Sequence, residues 1–245
     1  KENKYDDDIF FQKYSQMSRS QQGLAGAGEW ETLRKLLPDF KDKRVLDLGC
    51  GYGWHCIYAM EHGASSVVGV DISHKMLEVA KEKTHFPQVE YKCCAIEDVE
   101  FPEESFDVIL SSLAFHYVAD YEILVKKIYR ILKSGGKLVF TVEHPVFTAY
   151  GTQDWYYNEK GEILHFPVDN YYYEGKRTAV FLGEKVTKFH RTLTTYLNTL
   201  LSNGFIINHI VEPQPPEYMM DIPGMRDEMR RPMMLIVSAN KKVDR

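Results

Sequence analysis

Between Arg44 and Glu143 the chain alternates short, almost uninterrupted apolar runs with amphipathic segments, and this alternation leaves few folds open. "RVLDLG", "SVVGVDI", "VEYKCCA", "FDVILSS" and "KLVFTVE" read as strands. "GWHCIYAMEHG", closed by Gly63, "SHKMLEVAKEK", opened by Ser73 as N-cap, and "DYEILVKKIYRIL" read as helices, and a "KSGG" turn precedes the fifth strand. Strands that are apolar on both faces must be covered on both, so helices occupy the crossovers, which are right-handed. The expected fold is a doubly wound α/β sheet, mostly parallel. "FIINHIVE" and "PMMLIVSAN" add a hairpin-like pair that puts an antiparallel strand at the C-terminal end of the sheet.

The periodicity divides the chain into unequal parts. Residues 1–28 are polar and aromatic-dotted and end in "QQGLAGAG", too glycine-rich to read as a helix. "EWETLRKLLP" follows as a helix stopped by Pro38, so residues 1–38 form an N-terminal lid segment and helix. The α/β core covers 39–144 and resumes over 190–245, where Leu193, Tyr196, Leu197, Leu200 and Leu201 make one helical stripe. Between them, 145–189 is rich in aromatic residues and glycine and reads as an inserted, aromatic-rich lid lobe of hairpins or loops, placed to cap a substrate.

Composition narrows the partners. A formal net charge of −5 offers no basic surface for a phosphate backbone, which argues against nucleic acid. The first residues carry charges where a secretory signal needs an apolar run, and no stretch approaches the roughly 18 apolar residues of a membrane span, so a cytoplasmic protein without membrane contact is expected. Cysteines at 50, 56, 93 and 94 lack the paired spacing of a zinc knuckle and read as free thiols, with no metal.

The first strand runs into "GCGYG". Glycines at 49, 51 and 53 let the backbone approach a ligand where the strand hands over to the first helix, and the second strand ends at Asp71, where such folds set an acid against ribose hydroxyls. A dinucleotide fingerprint needs its third glycine one residue later, where Trp54 stands, and the lysine and hydroxyl of a P-loop are missing. Asp47 beside the turn would repel a pyrophosphate and attract an ammonium. The pattern suits a cofactor that carries cationic groups and a ribose.

In order and spacing, "VLDLGCGYG", "VVGVDIS", "FDVILSSLAFHYV" and "ILKSGGKLVFTVEHP" resemble the motifs of class I S-adenosylmethionine-dependent methyltransferases with their Rossmann-like sheet, most closely the ubiquinone-biosynthesis-like branch that acts on small molecules. The resemblance is strong over residues 40–145 and weak at the ends. It implies S-adenosyl-L-methionine as cofactor, S-adenosyl-L-homocysteine as product and a small organic methyl acceptor. It also implies that Gly49, Gly51 and Gly53 pass under the methionine and ribose, that Asp47 meets the amino end directly or through water, and that Asp71 takes the ribose hydroxyls. Ile72 and Met76 would lie against the adenine. Ala95 stands where the family commonly has an aspartate, which leaves the adenine amino group to Glu97 or the Ile96 backbone. Ser111, Ser112 and Leu113 would run beneath the methionine chain.

His116, after the fourth strand, and His144, at the end of the fifth, are the candidate catalytic bases; each also reads as a packed histidine. Tyr14, Met17 and Arg19 would close the other side of the site, with Arg19 either on a carboxylate of cofactor or substrate or simply solvated. "PPEY" at 215–218 lies far from the fourth strand and reads as a stiff loop rather than an amino-methyltransferase signature. The expected reaction is in-line displacement in a dry pocket, with nucleophile, carbon and sulfur held at about 3–3.5 Å. A nicotinamide-dependent oxidoreductase and a protein that binds S-adenosylmethionine without transferring its methyl are the alternatives; the acceptor, its methylated atom and the oligomeric state stay open.

Overall fold

The computed structural model describes residues 1–243. An N-terminal segment carries α1 (Asp8–Ser15), α2 (Ser18–Gln21) and α3 (Trp30–Leu33). The alternating region follows as β1 (Arg44–Leu48), α4 (Trp54–Glu61), β2 (Ser66–Asp71), α5 (His74–Lys83), β3 (Val89–Cys93), β4 (Phe106–Ser112), α6 (Tyr121–Ile131) and β5 (Leu132–Glu143). Beyond it come α7 (Pro145–Thr148), the pairs β6 (Tyr156–Tyr157) with β7 (Ile163–His165) and β8 (Gly175–Phe181) with β9 (Glu184–His190), then α8 (Leu193–Ser202), β10 (Phe205–Val211) and β11 (Met234–Lys241).

Seven strands form one sheet in the order β10-β11-β5-β4-β1-β2-β3. Strands β1 to β5 run parallel, and β11 is antiparallel to both β5 and β10. The expected doubly wound sheet with its antiparallel C-terminal strand is therefore present. Connections leave β1 toward β2 on one side and arrive at β4 on the other, so the crevice of this topology opens at the carboxyl ends of β1 and β4.

Both faces of the sheet are buried, which is why its strands read as continuous apolar runs. Leu46, Leu48, Ile109 and Phe140 pack with α6 and α8 through Ile128 and Tyr196. Their strand neighbours Val45, Val67, Val108 and Val139 face the other way, against Trp30, Ala59 and Leu77. The α6 N-terminus is set by Asp120, whose carboxylate accepts the Ile123 N–H, and α5 is opened by Ser73 as the sequence implies.

Three local expectations shift. The "KSGG" turn is absorbed into β5, where Gly135 takes φ +71° and the β4–β5 ladder skips from Leu132 to Lys137. The helix read from "EWETLRKLLP" is only the four residues of α3. Conversely, α1 forms within the segment read as non-helical, because Asp7 caps it by accepting the Phe10 N–H at 2.9 Å; the glycines that argued against a helix all lie beyond Ser20.

After β5 the chain leaves the sheet for two antiparallel pairs before returning through α8. This insertion does not stand alone: Phe10 of α1 shares a small core with Ala179 of β8 and Val186 of β9, so the N-terminal segment and the insertion support each other. The main core has its own keystone in Phe140, fully buried with its ring 5.2 Å from Phe115. Truncating it in Phe140→Ala is expected to cost about 3–5 kcal/mol, read as a lower midpoint in urea unfolding.

Candidate active site

A cavity of about 560 Å³ lies at the carboxyl ends of the parallel strands, between the sheet and the inserted hairpins. Gly49, Gly51, Asp71, Ile72 and Met76 line one wall. Ala95, Ile96 and Glu97 line the part beyond β3, while Ser112, Leu113 and His116 follow β4. Tyr14, Met17 and Arg19 close it from the N-terminal segment, and Phe181, Val186, Lys188 and Phe189 face it from the hairpins.

The glycine turn shapes this wall. A Cβ built on Gly51 would meet nothing within 4 Å, so the backbone there borders open space. Gly53 has a different reason: its φ is +75° and a Cβ would stand 2.2 Å from the Tyr91 hydroxyl oxygen, so it serves α4 packing and does not line the cavity. The Asp71 carboxylate is fixed by two backbone donors, Gly51 N–H on Oδ2 and Ser73 N–H on Oδ1, both at 2.9 Å. Burial raises its pKa above the ordinary carboxylate value despite those donors. Leu113, directly after β4, holds φ +54°, a strained position for a branched residue, with its N–H donated to the Thr141 carbonyl.

Asp47 sits behind the turn, 1 % exposed, and does not itself line the cavity. Its Oδ2 takes a weak Cys56 Sγ–H donor at 3.5 Å, and its Oδ1 has no partner among the described residues. Burial pushes this carboxyl up to about 7. A cation arriving nearby would supply the counter-charge that the fold withholds.

Arg19 is not solvated: its Nη2 donates to both carboxylate oxygens of Glu29, at 2.9 and 3.0 Å, and Glu29 is buried. The segment preceding it is a strap across the cavity. Asp6 accepts from the Ser73 hydroxyl at 2.6 Å and the Lys75 N–H at 3.1 Å, Asn3 donates to the Ile72 carbonyl, and Glu2 accepts the Thr187 N–H of β9.

Three further positions sit differently from expectation. Ser111 is buried and donates its hydroxyl to the Leu48 carbonyl at 2.7 Å, joining β4 to β1, and only Ser112 and Leu113 reach the cavity. His144 lies outside it: Nδ1 accepts the Val146 N–H that starts α7, and Nε2 stands 2.8 Å from Glu212. His116 does line the cavity, but its Nδ1 accepts the Glu143 N–H at 3.3 Å and burial drives its pKa down to about 4. The ring is neutral with its proton on Nε2, so it faces a ligand as a donor and has no free lone pair with which to act as base.

What sequence reading passed over is the polar cluster beside His116. Lys188 donates to Glu143 at 2.6 Å and to Gln153 at 2.8 Å, and Gln153 donates back to the other Glu143 oxygen at 2.5 Å. Glu143 and Lys188 both line the cavity, together with Tyr5 and Tyr117, whose hydroxyl oxygens are 3.4 Å apart. Two signals existed. Strand phase selects either Glu143 or His144 for the crevice, and β5 presents Glu143. In β9, Val186, Lys188 and His190 alternate inward, which marks Lys188 as a lysine on a buried face.

A glycine turn over open space, a fixed acid at the end of β2 and an unpaired buried acid behind the turn fit the groups of S-adenosylmethionine. The methyltransferase domain family matches residues 46–140. A crystal structure of an S-adenosylmethionine-dependent methyltransferase from Mesorhizobium loti superposes with a TM-score of 0.83 at 40% identity, covering 89% of this chain and 100% of that one. The chain belongs to the S-adenosylmethionine-dependent methyltransferases. A Listeria monocytogenes crystal structure that carries the same family name is 57% identical, with a TM-score of 0.86 over 90% of this methyltransferase and 99% of that chain. An uncharacterized Haemophilus influenzae protein is 34% identical over 97% of this chain and 96% of its own length. The ubiquinone biosynthesis O-methyltransferase of Coxiella burnetii is 36% identical, over 45% of this chain and 47% of that protein. The enzyme uses S-adenosylmethionine, and among its described residues no helix is long and apolar enough to cross a membrane.

Asp47 gives the ligand-free methyltransferase a pH signature. Its folded carboxyl near 7 lies above the ordinary 3.8, so between those values the folded state holds a proton that the unfolded chain has lost. The stabilisation is complete below about pH 4 and is lost as pH rises through about 7. Thermal melts of Asp47→Asn across that window are expected to fall less steeply than those of the wild type.

Proposed function

We propose that this methyltransferase transfers the methyl group to a small organic molecule that shares the 560 Å³ cavity with the cofactor. The observation that carries this reading is the continuity of one cavity from the glycine turn to the inserted hairpins, with a volume in the usual range of small-molecule sites, about 300–1,000 Å³. An acceptor held there is covered by residues of β8, β9 and the N-terminal strap, which supports a small molecule over a polymer chain.

In this reading Asp71 receives the ribose hydroxyls, held in place by the Gly51 and Ser73 N–H groups. Gly49 and Gly51 give the cofactor backbone contact, and Asp47 supplies negative charge behind them. Ile72 and Met76 flank the adenine, with the Ala95–Glu97 segment at its edge, and Ser112 and Leu113 pass beneath the methionine chain. Tyr14 covers that side, and Arg19, already paired with Glu29, keeps further N–H groups for a carboxylate. The cofactor supplies a methyl group made electrophilic by its sulfonium. The protein therefore has mainly to orient an acceptor, exclude water and keep the reacting atoms aligned.

The test combines binding and turnover. Isothermal titration of the wild type with S-adenosylhomocysteine is expected to show micromolar or tighter binding, and Asp71→Ala to weaken it at least about tenfold through the loss of charge-assisted hydrogen bonds. Methyl transfer to a screened pool of small metabolites is expected as well; transfer confined to protein or nucleic acid would overturn the small-molecule reading.

A further inference from the structure

The far end of the cavity carries charges that the cofactor does not use. Lys188 is 2 % exposed, and its ammonium gives two of its three N–H groups to Glu143 and Gln153. Among the described residues no acceptor takes the third; Nζ lies 5.8 Å from the Tyr117 ring centroid and 5.4 Å from that of Phe181, both cavity-lining residues. Arg191, one residue past β9 and 5 % exposed, donates to the carbonyls of Val118 and Ala119, which line the same cavity. Among the described residues no carboxylate lies within ion-pair distance of Arg191. The inner wall thus pairs Lys188 with the single carboxylate of Glu143, and Arg191, which does not itself line the cavity, adds an unmatched positive charge behind the Val118 and Ala119 carbonyls. The more exposed lining residues Glu2, Lys4 and Lys176 add two cations and one anion. The opposite end of the cavity has the acids Asp71 and, behind the turn, Asp47.

The buried wall of this end also lacks a free base. Both Glu143 oxygens are engaged, by Lys188 and Gln153. The His116 lone pair at Nδ1 is taken by the Glu143 N–H, which leaves a proton on Nε2. Burial keeps the Tyr5, Tyr14 and Tyr117 phenols protonated. An acceptor that must lose a proton against the buried wall finds no free base among Glu143, His116 and the tyrosines, whereas one that arrives already deprotonated finds N–H donors and positive charge.

We infer that the acceptor is a small organic acid bound as its anion, methylated on the ionised oxygen of a carboxylate, phenol or enol, with Lys188 as its anchoring cation and Arg191 adding to the positive field. This rests on the proposed transfer to a small molecule. The oxyanion lone pair forms the O–CH₃ bond as the C–S bond breaks, sulfur keeps the bonding electrons, and no proton leaves. One anion and one sulfonium cation become a neutral ester or ether and a neutral thioether, a charge cancellation that a dry cavity favours.

The experiment titrates three probes of similar size, benzoate, 4-nitrophenolate and benzylammonium, into enzyme saturated with S-adenosylhomocysteine, at a pH where 4-nitrophenol is ionised. At least one anion is expected to bind about tenfold or more tightly than benzylammonium, the equivalent of one charged hydrogen bond. Which anion binds separates a carboxylate from a phenolate acceptor. Because Lys188→Gln alone would strand Glu143, the companion variant is Glu143→Gln with Lys188→Gln, neutral and nearly isosteric. It is expected to keep S-adenosylhomocysteine affinity and lose most of the anion preference. Benzylammonium binding as tightly as the anions, or no detectable binding of any probe, overturns the inference while S-adenosylhomocysteine binding leaves the methyltransferase reading intact. An unchanged preference in the double variant overturns the role of Lys188, and wild-type enzyme that fails to bind S-adenosylhomocysteine overturns both readings. The wild-type comparison decides the acceptor class even if the variant does not fold.

Discussion

A sheet buried on both faces cannot offer its faces to a ligand. Val45 and Leu46, Val108 and Ile109, and Val139 and Phe140 are consecutive residues that enter opposite cores, so no side chain in the middle of these strands is free for chemistry. Function is pushed to the strand ends, and the reversal of strand order between β1 and β4 decides which end opens. Gly51 bordering open space, Asp71 held by two N–H donors and Leu113 in a strained turn are all consequences of ending apolar strands at one rim.

The same constraint explains the raised pKa of Asp47. It sits inside β1, one residue before the strand ends, in a register opposite Gly69 and Leu110, where apolar packing would be the stable choice. Its carboxyl persists there with one weak partner and one empty oxygen. Such a buried acid costs stability in the folded protein, and under the proposed function a cationic cofactor bound beside it would offset that cost.

The rim of the cavity built by the glycine turn and the end of β2 was legible in the sequence because its residues obey local rules: glycine where a backbone turn borders open space, an acid at a strand end, a serine cap on the next helix. The opposite rim was not. Glu143 and His144 are adjacent on β5, and choosing which enters the crevice requires the strand's phase, which the absorbed "KSGG" residues and the skipped register at Leu132 obscure. Lys188 needs still more: its partners Glu143 and Gln153 lie 45 and 35 positions away, and only the fold brings them to 2.6 and 2.8 Å. The N-terminal α1 was hidden for a simpler reason, since the glycines that end its segment outweighed the single capping aspartate that starts it.

Coupling between the two rims runs through the strap and β9. Asp6 ties the strap to the first turn of α5, next to Asp71, while Glu2 of the same strap holds the Thr187 N–H beside Lys188. Phe10 then fastens α1 to β8 and β9 through Ala179 and Val186. An opening of the strap that admitted ligand would loosen both ends of the cavity at once, because the same short segment hydrogen-bonds to each. The two sides of the cavity are far apart in sequence, and the strap hydrogen-bonds to both. That arrangement suits displacement chemistry, in which water has to be excluded from both reacting partners together.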